Sequence, residues 1–189
     1  MALTRLVIDG YGQVELNNCA FRRDGRIEAQ CAPDTAAFGN AMVENGMLLA
    51  VDAVNRKVTF PTDGSLPIAL NYSAEHIYDE RTPGLKNFAL KGDGSEDFYP
   101  RLGYLAIGDK YTTNCISYDS SVDSAWASEA DFLDALASYK ETALYATAGS
   151  DGTHVVSATP PTTGIKLRVI EKTTMPDGQL GVKFQVYAC

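Results

Sequence analysis

IKLRVIEKTTMPDGQLGVKFQV, residues 165–186, is the stretch whose reading decides the fold. Ile165, Leu167 and Val169 alternate with Lys166 and Arg168, and Leu180, Val182, Phe184 and Val186 alternate with Gly181, Lys183, Gln185 and Tyr187. Successive side chains of an extended strand point to opposite faces, so this period of two predicts strands with one face in a core and one in solvent. Between them, Met175-Pro176-Asp177-Gly178 is a turn, because proline presets φ and glycine accepts a left-handed position. The expectation is an antiparallel hairpin with Phe184 buried and Lys183 exposed.

The same signals recur outward from that hairpin. Asp9-Gly10, Asn17-Asn18, Asp24-Gly25, Asn45-Gly46, Asp63-Gly64, Asp93-Gly94, Gly108-Asp109 and Asp151-Gly152 supply residues that tolerate positive φ. Segments 3–8, 13–16 and 19–22 read as strands, with 26–30 pairing back on 19–22 across Asp24-Gly25. Segments 47–52 and 57–60 form a further hairpin. Helix is the minority. Ser128 with Asp131 three residues on opens a helix near 129–140, and Phe132, Leu133, Leu136 and Tyr139 form its apolar stripe. A shorter helix is expected over 34–43, weakened by Gly39 and Asn40, and Thr82-Pro83 suits a single turn. The fold class is therefore mainly β: an antiparallel sandwich or partly open barrel with one or two peripheral helices. Residues 1–189 read as a single β-rich domain, and the irregular stretches 92–100 and 158–164 are the places where it could be subdivided.

Composition narrows the function classes. A net charge of −8 argues against a nucleic-acid partner, which needs clustered lysine and arginine. Arg22, Arg23 and Arg26 are interrupted by Asp24 and read as a solvated hairpin tip. No apolar run approaches the roughly 20 residues that span a bilayer, so no membrane partner is expected. Residues 1–10 lack the apolar core of a signal peptide, which makes the Asn71-Tyr72-Ser73 glycosylation pattern accidental and favours reduced thiols. The four cysteines, Cys19, Cys31, Cys115 and Cys189, lack zinc-ligand spacing. The first three read as small core or half-buried residues and Cys189 as exposed.

Candidate sites each carry a plainer alternative. The two histidines, His76 and His154, have no nucleophile motif beside them; His154 is expected on a strand surface and His76 as a packing residue. Asp93-Gly94-Ser95-Glu96-Asp97 spaces oxygen ligands like a calcium loop, but Phe98 and Tyr104 occupy the positions that need Gly and Glu. Gly10-Tyr11-Gly12 fails as a dinucleotide fingerprint because a strand follows where a helix is required. No catalytic, cofactor-binding or metal site is expected, and no cofactor. Tyr99, Tyr104, Tyr111 and Tyr118 form the candidate interaction surface, tyrosine being favoured where a protein meets a partner; cross-strand packing is the plainer reading.

Several strings together carry a resemblance: LVIDGYGQVELNN (6–18), FRRDGRIEAQ (21–30), ENGMLLAVD (44–52), PRLGYLAIGDKYTTN (100–114) and MPDGQLGVKFQV (175–186). The chain resembles small capsid-associated structural proteins of tailed bacteriophages and prophages of Gram-positive bacteria. That resemblance implies a non-enzymatic virion component assembled in the host cytoplasm: a capsid decoration, cement or head-fibre-type protein. Its partners would be the major capsid protein or other virion proteins, with a homo-oligomer left open. Two alternatives stand beside it. A tail or baseplate carbohydrate-binding module would need tyrosines and Trp126 in an exposed platform. An enzyme with an unmarked carboxylate site would need a cleft with shifted carboxylates, since such pairs carry no sequence signature.

Overall fold

A computed structural model describes residues 3–62, 64–73, 89–95 and 99–189. Within them the chain is mainly β, in antiparallel sheets not closed into a barrel, with three short helices. In chain order the elements are β1 (Leu3–Arg5), β2 (Val14–Asn18), α1 (Ala20–Asp24), β3 (Ile27–Glu28), β4 (Ala32–Pro33), α2 (Thr35–Phe38), β5 (Met42–Glu44), β6 (Leu48–Asp52), β7 (Lys57–Thr59), β8 (Ile68–Asn71), β9 (Ala89–Lys91), β10 (Leu102–Gly103), β11 (Lys110–Thr113), β12 (Ile116–Asp119), α3 (Glu129–Ala137), β13 (Tyr145–Ala148), β14 (His154–Ser157), β15 (Lys166–Thr174) and β16 (Leu180–Ala188).

The large sheet has eight strands in the order β1-β12-β14-β13-β15-β16-β11-β2, and a six-stranded sheet runs β3-β10-β8-β6-β7-β4, with β5-β9 as a separate pair. Pairing is antiparallel except for β12 with β14 and β4 with β7. The chain leaves β12, passes through α3 and β13, and returns as β14 beside β12, a connection long enough for parallel strands.

The C-terminal hairpin forms as the alternation predicts. Leu167 pairs with Val186 and Val169 with Phe184, and a register shift between Val169 and Glu171 accommodates an extra residue. One face of the large sheet is apolar. Tyr111, Ile116, Val156, Leu167, Phe184 and Val186 lie in a core completed by Leu48, Leu70 and Phe21 from the smaller sheet's side and by Phe132 and Leu136 of α3. Strand β6 is buried on both faces, because Leu49 and Val51 belong to a second core with Phe38, Val58 and Cys115. That double burial explains its unbroken apolar run. The main core draws residues from Leu6 to Val186.

Arg5 of β1 joins the layers. Its guanidinium makes two hydrogen bonds to the Glu44 carboxylate, which also accepts from the Gly12 backbone N–H at 2.6 Å. A Cβ on Gly12 would fall 2.5 Å from the Asn45 carbonyl oxygen, so glycine there serves close backbone approach.

Several sequence expectations are corrected. Residues 19–22 do not form a strand: Ala20–Asp24 is helical, ended by Gly25 at φ 71°. The cause is remote, because Asp109 accepts from the Ala20 N–H at 2.8 Å and caps the turn from across the fold. Ile27–Glu28 consequently pairs with β10 and not with 19–22, and Arg22 and Arg23 sit in the last turn of α1, not at a hairpin tip. The helix expected over 34–43 is only Thr35–Phe38, capped by Asp34. Helix α3 has the expected Ser128–Asp131 capping box but ends at Ala137. The expected turn at Thr82-Pro83 and part of the 92–100 stretch lie outside the described residues.

Candidate functional site

The outer face of the large sheet carries a groove of about 860 Å3. Its floor follows from register. Leu3 pairs with Asp119, Asp119 lies one step beyond the paired Tyr118 and Val156, and Ser157 pairs with Tyr145. Leu3, Asp119, Ser157 and Tyr145 therefore run in line across four strands, on the face opposite Tyr118 and Val156. The walls come from loops: Val122 and Asp123 on one side, Ser150 and Asp151 on another, and the 159–162 segment with Pro160 and Pro161. Proline cannot donate to a strand ladder, so the chain after β14 stands off the sheet.

Among the described residues, three carboxylates line this groove and no lysine, arginine or histidine does. Asp119 and Asp151 each have one oxygen committed to a local turn, and Asp123 has one committed to a backbone N–H distant in sequence. Asp119 accepts from the N–H and hydroxyl of Ser121 at 2.8 and 2.6 Å, Asp151 from those of Thr153 at 3.0 and 2.6 Å, and Asp123 from the Ala158 N–H at 3.4 Å. The Ser121 hydrogen bonds hold Asp119 below the usual carboxylate pKa. Tyr145, the single aromatic residue of the lining among the described residues, makes a T-shaped contact with Tyr187, with ring centroids 5.9 Å apart.

The tyrosines expected to make an interaction surface are not brought together. Tyr111 is wholly buried and Tyr118 nearly so, stacked on Phe132 at 4.9 Å, so for these two the surface expectation fails and cross-strand packing holds. Both sit on the inner face of their strands, where burial outweighs exposure of a ring whose hydroxyl can be satisfied internally. Tyr104 is half-buried against the second core, and burial raises its phenol pKa. Tyr99 alone of the four is exposed. Trp126 is buried against Phe132 and contributes to no platform.

His154 is also corrected, since it lies in the core and not on a strand surface. Its Nε2 is 2.8 Å from the Tyr111 hydroxyl and its Nδ1 is 3.0 Å from the Cys115 carbonyl oxygen. A carbonyl only accepts, so Nδ1 carries the proton and Nε2 accepts from Tyr111. Burial pushes the imidazole pKa down to about 4, and burial raises the phenol of Tyr111 well above its ordinary value. The arrangement is a neutral, satisfied core pair closed to any substrate.

Cys19, Cys31 and Cys115 are buried free thiols and Cys189 is exposed. Burial pushes the Cys19 and Cys115 thiols up to about 12 and Cys31 up to about 11, so none is an activated thiolate. His76 and part of the 93–97 acidic loop lie outside the described residues. Among the described residues no group of three His, Cys, Asp or Glu side chains is arranged to hold a metal. Thermal melts with and without a chelator are accordingly expected to coincide; a large drop in Tm on chelation would contradict this.

Sequence reasoning missed Tyr145, Asp119 and Asp123 as neighbours. The local signals available were the Asp151-Gly152 turn and the Pro160-Pro161 pair, which mark the walls without revealing that they face one floor. The fold and groove define an open, mainly β scaffold with an acidic, partly apolar furrow on its outer face. No protein-family model matches the chain, and no curated protein or solved structure matches it at a significant level.

Proposed function

We propose that the protein is a structural component of a tailed-phage virion, a capsid decoration, cement or head-fibre-type protein that binds the assembled shell. The observation that supports this reading most is the outer-face groove, a preformed binding surface whose floor is built on paired strands. A site on rigid elements pays little ordering entropy on binding, as a protein attached to a repeated lattice requires. The acidic balance of the chain favours a partner with basic patches and steers encounter at low salt. The resemblance of the quoted strings to capsid-associated proteins supplies the identity of that partner.

A lattice presents contacts from neighbouring subunits together, and weak contacts on one rigid body then add through effective concentration. The protein is expected to co-sediment with empty capsids and to bind unassembled subunits much more weakly. Absence of co-sedimentation at low salt would overturn the reading.

The carbohydrate-binding alternative has one supporting observation, the Tyr145–Tyr187 pair beside the hydroxyls of the groove. The burial of Tyr111, Tyr118 and Trp126 removes the platform it needs. The enzyme alternative gains no support from Asp119, whose shift runs opposite to that of a general acid.

A further inference from the structure

We propose that the groove between the β13–β14 face and the 159–162 wall holds an extended segment of the partner protein, apolar along its length and carrying lysine or arginine. The capsid-binding reading supplies the partner; the groove supplies the chemistry of the segment. The volume of about 860 Å3 falls within the range of roughly 300–1,000 Å3 typical of ligand sites. Leu3, Val122, Val155 and the three prolines Pro61, Pro160 and Pro161 give it apolar walls.

Charge selects among occupants of that shape. Among the described residues, Asp119, Asp123 and Asp151 line the groove with no cationic side chain in its lining and no ion pair to any of the three, the charge of Arg5 acting on Asp151 only from outside the lining. Their hydrogen bonds come from N–H and hydroxyl donors, which stabilise the carboxylates as anions without neutralising them. A cation on the occupant adds the direct ion pair that these carboxylates lack among the described residues, in a partly desolvated site where the interaction exceeds that of an exposed surface pair.

Topology then decides how the segment binds. Three of the four floor strands, β12, β13 and β14, are paired on both sides and offer no free ladder for strand addition; only β1, at the sheet edge, has one side unpaired among the described strands. The groove crosses the strands, and recognition falls to side chains. A glycan fits less well, because among the described residues Tyr145 alone brings an aromatic ring to the groove lining, too little for a stacking platform.

The test uses the whole protein, isotope-labelled, and three probes: the peptide acetyl-Lys-Val-Pro-Lys-Leu-Pro-Lys-Val-amide, its counterpart with glutamate for every lysine, and chitohexaose. The lysine peptide is expected to shift the amide resonances of Thr147, Ser150 and Ser157, more strongly at low salt than at high salt. Ser150 and Thr162 are exposed rim residues, so Ser150→Lys and Thr162→Trp should fold normally, which a thermal melt verifies. Each should weaken the peptide about tenfold. No shift with the lysine peptide, or equal shifts with the glutamate peptide, overturns the proposal; shifts with chitohexaose alone replace it with the glycan reading. The same variants separate it from the capsid reading. If wild type and both variants co-sediment equally with capsids, the groove proposal falls and the capsid reading stands. If wild type fails to co-sediment while the lysine peptide still moves the groove resonances, the reverse holds.

Discussion

Replacing Phe184 with alanine is expected to destabilise the protein by about 3–5 kcal/mol, the usual range for deleting a fully buried phenylalanine ring. Phe184 is wholly buried, and its neighbours across the sheet are Val169 and Tyr111. Its ring stacks on His154 at 4.9 Å and lies 6.1 Å from Tyr111. The surrounding side chains come from paired strands and cannot collapse into the space, so a cavity term adds to the lost burial. Lys183, one residue away, faces outward and pairs with Glu171 at 2.6 Å, with 27% of its side chain exposed. A half-exposed pair of this kind contributes little, so Lys183→Ala should cost less than about 1 kcal/mol. Urea unfolding of the two variants checks the contrast, and equal costs would show that the assigned faces are wrong.

The second large effect is expected in acid. Burial lowers the folded-state pKa of His154 from an ordinary 6.5 to about 4, against the opposing pull of the Cys115 carbonyl and the Asp151 charge. Between those values the unfolded chain binds a proton that the folded chain excludes. Stability therefore rises with pH across this window, is complete above about 6.5, and is lost as pH falls toward 4. The difference amounts to on the order of 3 kcal/mol from this one group. Carboxylates held below their usual range, such as Asp119, lose their contribution at lower pH, mostly beneath that window. The double variant Tyr111→Phe/His154→Phe removes both hydrogen-bond partners and leaves no orphaned nitrogen, so it should fold and lose much less stability between about pH 6.5 and pH 4.5 than wild type does. The difference between the two proteins isolates the contribution of His154. Parallel losses in the two proteins would show that the imidazole is not shielded from water. The two predictions are linked, since a cavity at Phe184 opens the stacked face of His154 and should raise its pKa.

The elements legible in the sequence were those whose signals are local. The 175–178 turn sets its own geometry, the alternation of 180–186 needs only the pleat, and the Ser128–Asp131 capping box closes within one helical turn. The 47–52 and 57–60 hairpin is legible for the same reason, with Ala50 paired to Thr59 and Asp52 to Lys57. Tertiary structure decided whatever depends on a distant partner. Asp109 turns residues 20–24 into a helix from a position that no local window contains. The pairings Tyr111–His154 and Tyr118–Phe132 decide that these tyrosines are core, because an aromatic on a strand reads identically whichever face it takes. The groove is the extreme case. Its floor joins four strands by register and its walls come from loops far apart in sequence, and period-two patterning specifies which face a residue takes but not which strand lies beside it. By itself the sequence determined an acidic, mainly β chain with a C-terminal hairpin and a capped helix, since backbone propensity and side-chain alternation act over a few residues. The choice of sheet partners, the neutral histidine core and the acidic furrow belong to the tertiary structure, because burial and charge neighbourhoods exist only once distant segments meet.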